Sequence, residues 1–155
     1  MQSDLEGRAA HNAEIQARAR EQMMAIGVTP ESVEDLVESF YARIRNHETL
    51  GLVFNSHIQD RWPEHMQRMK QFWNALAFKT GSYGGKPVQA HYGIHGITPE
   101  LFPQWLQAFR LTLQESNMSE QAQEWFYLTA ERIAKSLTLS LFYNPAFDDP
   151  NRTMR

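Results

Sequence analysis

Cysteine is absent from all 155 residues. That excludes disulfides, thiolate nucleophiles, Cys-ligated zinc, iron–sulfur clusters and a prosthetic group tethered through C-x-x-C-H. Positive charge is also in the minority. Fifteen Lys and Arg stand against eighteen Asp and Glu, and no Lys/Arg run forms a basic patch, so no nucleic-acid partner is expected. No apolar run approaches the roughly 20 residues that span a bilayer. Met1 to Gly7 lacks the apolar segment of a signal peptide. The expected location is the cytoplasm, without a membrane partner. Alternation of apolar and polar residues is nowhere long enough for a sheet, and there is no repeat or low-complexity segment.

What is present is helical. With 42% apolar and 21% charged residues the chain is ordinary for a globular protein, and its length predicts one domain. Residues 8–26 hold good helix formers and end at Gly27. Thr29-Pro30-Glu31 predicts an N-cap, a first helical position and an acidic first turn. Behind it Val33, Val37, Phe40 and Ile44 recur at 4, 3 and 4, one apolar helix face. Residues 46–60 carry turn and short-helix signals. Pro63 opens a further helix in which Trp62, Met66, Met69, Trp73 and Leu76 follow at 4, 3, 4 and 3. Gly81 to Pro87 is a break, and Gly93 and Gly96 limit residues 88–95 to a short helical piece. Thr98-Pro99-Glu100 repeats the start signal, followed by Leu101, Trp105, Phe109 and Leu113 on one face. Residues 119–142 form the last helix, stopped by Asn144-Pro145. The expected architecture is all-α, with five or six helices around one core, a helical extension over 1–28, a main domain over 29–143 and a polar tail over 144–155.

Chemistry is sought among these helices. Gly81, Gly84, Gly85 and Lys86 stand in the wrong order for a phosphate loop, and no strand precedes them. His91 and His95 are four apart, but Gly93 lies between them and no Glu follows the first, which disfavours a zinc pair. The helix after Pro63 is more informative. His65, Met69 and Phe72 fall at i, i+4 and i+7, so a histidine heads an apolar strip, with Arg68 on its edge. Tyr41 lies on the core side of its helix, between Val37 and Ile44. Trp105 sits centrally on the inward face of its own. Singly, each reads as an ordinary core residue with a satisfied polar tip. Together they outline an apolar chamber with three polar tips, a plausible cofactor site. With no cysteine, neutral imidazole is the strongest available metal ligand. Spacing leaves the choice between His91 and His95 open.

Several strings run in order from about residue 30 to 140. They are Ser39-Phe40-Tyr41-Ala42-Arg43-Ile44-Arg45, Leu50-Gly51-Leu52-Val53-Phe54-Asn55, Trp62-Pro63-Glu64-His65, Phe72-Trp73, Tyr83-Gly84-Gly85-Lys86-Pro87, His91 and Phe102-Pro103-Gln104-Trp105-Leu106. In this combination the chain resembles the bacterial truncated haemoglobins of group 3. The resemblance implies a two-over-two helical sandwich around a non-covalent haem b. It makes His91, fourteen residues before Trp105, the implied iron ligand, and not His95. Its distal polar residues fall on Tyr41, His65 and Trp105, which would carry any ligand chemistry. Phe54 matches the aromatic on the haem face, Met69 the apolar residue one turn after the distal His, and Arg68 a propionate partner. Phe72 and Ile97 complete the implied haem contacts. The implied ligands are O2, NO and CO. The implied activity is ligand retention or redox chemistry such as NO detoxification, with peroxide reduction or simple oxygen carriage or sensing as alternatives. NO dioxygenation needs an electron each cycle. The chain has no flavin or nicotinamide motif, so a separate reductase would supply it.

Overall fold

The computed structural model describes residues 2–81, 87–91 and 93–143. Tyr83 to Lys86 and the expected polar tail lie outside the described residues. Among those described, all regular structure is helical: α1 Gln2–Ala25, α2 Pro30–Arg45, α3 Leu50–Ile58, α4 Trp62–Phe78, α5 Pro87–His91, α6 Leu101–Glu115 and α7 Glu120–Phe142. These are seven segments rather than five or six; the short α3 and α5 account for the difference. No helix among the described residues is long and apolar enough to cross a membrane.

The helix ends show why the sequence breaks where it does. Val28 N–H donates to the Met23 carbonyl (2.8 Å) and Gly27 N–H to that of Met24 (2.9 Å), a Schellman motif that ends α1. It requires a left-handed residue, and Gly27 supplies it at φ +85°. Met23 and Val28, which meet across such a cap, are both buried. Thr29 then caps α2. Its hydroxyl accepts from Ser32 N–H (3.2 Å), and Ser32 Oγ accepts from Thr29 N–H (2.8 Å), a reciprocal capping box. Ser119 accepts from Ala122 N–H to cap α7 and donates to the Ile26 carbonyl (2.8 Å), tying α7 to the end of α1.

One expected start is displaced. Thr98-Pro99-Glu100 does not open the helix; α6 begins at Leu101 without a side-chain cap. Leu101 and Phe102 N–H donate instead to the carbonyls of Thr98 and Pro99, both at 3.2 Å. The tight i→i+3 turn absorbs the start signal before the α-helical ladder begins. Pro103, inside the first turn of α6, has no intrahelical donor to lose.

Helix α2 packs on α4, α6 on α7, and α2 on α6. That pairing gives the two-over-two sandwich. Its centre is aromatic: Phe40, Phe109 and Phe126 are fully buried together with Ile44, Leu50 and Leu113. Arg43 Nε donates to Thr112 Oγ1 (3.2 Å), and the same guanidinium pairs with Glu115, joining α2 to α6. Gly51 lets α3 press against the end of α2, since a Cβ there would sit 2.8 Å from the Arg45 carbonyl. Helix α1 lies against α4, but only its last turns are buried, at Ala19 and Met23.

Candidate functional site

The apolar strip of α4 does not close fully on the core. Trp73 is buried, but Met66, Met69, Phe72 and Leu76 are only half-buried. A cavity of about 520 Å³ opens beside Met69, Phe72 and Trp73. A volume of that size lies within the usual range of small-molecule sites.

The cavity gathers every site residue expected from the sequence. Tyr41 reaches it from α2, Phe54 from α3, and His65, Arg68, Met69 and Phe72 from α4. His91 lines it from α5, Ile97 from the following loop and Trp105 from α6. His95 does not line it and is exposed. The structure thus distinguishes two histidines that spacing could not, because Gly93 and Gly96, both at positive φ, turn the chain away after the single turn of α5.

His91 is oriented by its own helix. Its Nδ1 lies 2.5 Å from the Pro87 carbonyl oxygen. A carbonyl can only accept, so Nδ1 carries a proton, and in the neutral ring Nε2 is then the nitrogen with the lone pair. That is the tautomer a metal-binding imidazole needs, held by the kind of carbonyl contact that orients such ligands.

His65 has the opposite character. Its ring meets Tyr41 edge-on at 5.0 Å and Trp62 edge-on at 5.5 Å. Its Nε2 is buried with no hydrogen-bond partner among the described residues. Burial first, then the Arg68 cation and the neighbouring His57 and His91, push its pKa down to about 4. His65 is therefore neutral near pH 7. An orphaned polar atom in an otherwise apolar wall costs stability, about 1–3 kcal/mol in typical cases, unless something satisfies it. Tyr41 is buried, and Phe40 is edge-on to both it and Trp105, at 5.1 and 5.5 Å. Arg68 is exposed, and no carboxylate pairs with it among the described residues.

His57, Ile94 and Leu137 also line the cavity, and sequence reading missed them. His57 had a signal, lying three residues after Phe54 on the same helix face. Ile94 and Leu137 had none, since a loop residue and one more apolar position on α7 look the same with or without a cavity beside them.

Two helix pairs crossed over an apolar cavity that a tautomerically fixed histidine lines are the architecture of a globin. The family described as bacterial-like globin matches residues 22–138. Group 3 truncated hemoglobin ctb of Campylobacter jejuni is 32% identical over 89 residues, 56% of this chain and 70% of that protein. The crystal structure of the group III truncated hemoglobin from Campylobacter jejuni superposes with a TM-score of 0.70 at 28% identity, covering 75% of this chain and 93% of the other. The chain belongs to the group 3 truncated haemoglobins, within the bacterial-like globins.

Proposed function

We propose that the cavity holds a non-covalent haem b with His91 as the iron ligand, and that the protein binds O2 and other diatomic ligands beside Tyr41, His65 and Trp105. The observation that carries this reading is the pairing of two unlike histidines in one apolar cavity. His91 offers a free Nε2 with its other nitrogen fixed; His65 offers a neutral ring with an orphaned Nε2. Among the described residues no three His, Asp or Glu converge as a metal site, so iron would arrive inside a macrocycle that supplies its other ligands. The lining fits that group. Phe54, Met69, Phe72 and Ile97 offer apolar contact for its faces, and the exposed Arg68 cation suits a propionate at the cavity edge.

Haem iron supplies reversible binding of O2, NO and CO. The chain's own residues would set how long each ligand stays. Dioxygen gains negative charge when bound, and Tyr41 O–H and Trp105 N–H are donors suited to it. A hydrogen bond to a charged group is worth about 1.5–3 kcal/mol, so two would contribute about 3–6 kcal/mol. At about 1.4 kcal/mol per tenfold, release would slow by roughly two to four orders of magnitude. Such a pocket suits retention or redox chemistry such as NO detoxification better than delivery. Turnover would need a separate reductase, and the expected setting is the cytoplasm. Titration of the purified chain with haem tests the reading directly. A one-to-one Soret band supports it, and its absence overturns it.

A further inference from the structure

Three tryptophans form a connected path through the core. Trp105, on the cavity wall, stacks on Phe109 at 5.8 Å and 4°, and Phe109 stacks on Trp73 at 5.3 Å and 16°. Trp73 itself lines the cavity and is buried. On its other side it meets Phe126 at 5.6 Å, and Phe126 meets Trp125 edge-on at 4.9 Å. Trp125 is half-buried at the surface of α7. The path runs from the cavity wall to water through rings in mutual contact.

We propose that Trp73 and Trp125, bridged by Phe126, form a relay that carries one-electron oxidising equivalents out of the cavity to the surface of α7. The proposal rests on the haem reading above. With no cysteine in the chain, indole and phenol rings are the side chains that most readily give up single electrons; phenylalanine only bridges. The end of the path is set by proton release. An indole that loses an electron readily loses its N–H proton as well, and Trp125 at the surface can pass that proton to water, whereas buried Trp73 cannot. Trp62 is the competing indole near His65. The Arg45 guanidinium lies over its ring at 4.6 Å, and a cation held against the π-face opposes removal of an electron. Among the described residues no cation lies over Trp73 or Trp125.

The oxidant is hydrogen peroxide. Its reduction to two waters consumes two electrons, and two protons drawn from solvent. Trp125 gives the first electron through Phe126 and Trp73 and releases its indole proton to water. A soluble one-electron reductant such as ascorbate returns an electron to Trp125, which takes up a proton again; the second electron follows the same route, and a second equivalent of reductant restores Trp125.

The test treats haem-loaded protein with hydrogen peroxide and reads it by freeze-quench electron paramagnetic resonance and peptide mass spectrometry. Trp125 should carry the main tryptophan oxygen adduct, and ascorbate should suppress it. Trp73→Phe should lower that adduct several-fold and move damage to Trp105, Tyr41 and Met69. Trp125→Phe, which keeps an aromatic ring against Phe126, should remove the surface indole radical and raise damage in the cavity. Haem-free protein given the same peroxide should keep Trp125 intact while exposed Met24 becomes the sulfoxide. Equal Trp125 oxidation in Trp73→Phe or in haem-free protein overturns the relay, as does wild-type damage confined to the cavity. Failure to form a Soret band overturns the haem reading instead, so the two failures are distinguishable.

Discussion

The Nδ1–H of His91 donates to the Pro87 carbonyl within the single turn of α5, at 2.5 Å. His95, four residues on, is exposed and outside the cavity. His91 is therefore the proposed iron ligand, and His95 is not. His91→Gly should lose haem or retain it only with added imidazole, while His95→Ala should leave the absorption spectrum nearly unchanged. The reverse pattern would sink the assignment.

Tyr41 and Trp105 are linked through Phe40 and are predicted to act together on bound dioxygen. Tyr41→Phe and Trp105→Phe should each raise the O2 dissociation rate by about ten- to a hundredfold, the range set by one hydrogen bond to a charged group. The double variant should depart from additivity, because members of one network couple. CO gains little charge, so its dissociation should change far less. Stopped-flow rates for both ligands separate lost hydrogen bonding from lost packing, which would move both.

We expect His65 to gate the cavity rather than coordinate iron, so the ferrous protein without added ligand should be five-coordinate and high-spin. Low-spin spectra that vanish in His65→Ala would refute the gate. The same residue predicts acid sensitivity in the haem-free chain. Its pKa lies near 4 in the fold against an ordinary 6.5. Above pH 6.5 both states are neutral and full stability is present. Below it the unfolded chain takes a proton that the folded chain refuses, so stability falls until about pH 4. At about 1.36 kcal/mol per unit the loss is at most about 3 kcal/mol. Urea unfolding at pH 7 and 5 should show a smaller acid loss in His65→Leu than in the wild type.

Helix α1 is buried only at Ala19 and Met23. Removing residues 2–17 should therefore change the urea midpoint little. Met23→Ala should cost about 2–5 kcal/mol, the range for truncating a buried Met. Equal costs for the two changes would mean that the exposed part of α1 is structurally required.

Gly51 marks the closest approach of α3 to α2. Gly51→Ala should destabilise by about 1–3 kcal/mol, the usual cost of overpacking, because backbone cannot yield as a flexible side chain can. It should also weaken haem retention, since Phe54 rides on the same helix. A thermal melt and a haem-transfer rate would read the two effects separately.

Most of the helical plan follows from the sequence alone. Period and punctuation are local properties, so Val33, Val37, Phe40 and Ile44 read as one buried face, and all four are buried. Gly27 and Thr29 marked a helix end and a helix start because their backbone chemistry needs no distant partner. The tertiary structure decided what local signals cannot carry. On α4, Met69 and Trp73 line the cavity while Trp62, Met66 and Leu76 of the same apolar strip do not, because apolar spacing does not say where the opposite wall is missing. The start signal at Thr98 was consumed by a tight turn, since capping competes with i→i+3 bonding that only the folded loop fixes. The choice of His91 over His95 and the orphaning of His65 Nε2 both depend on which groups from α2, α3, α5 and α6 arrive around each ring. Burial, tautomer and pKa belong to that surrounding shell, and a shell assembled from distant segments exists only once the chain has folded.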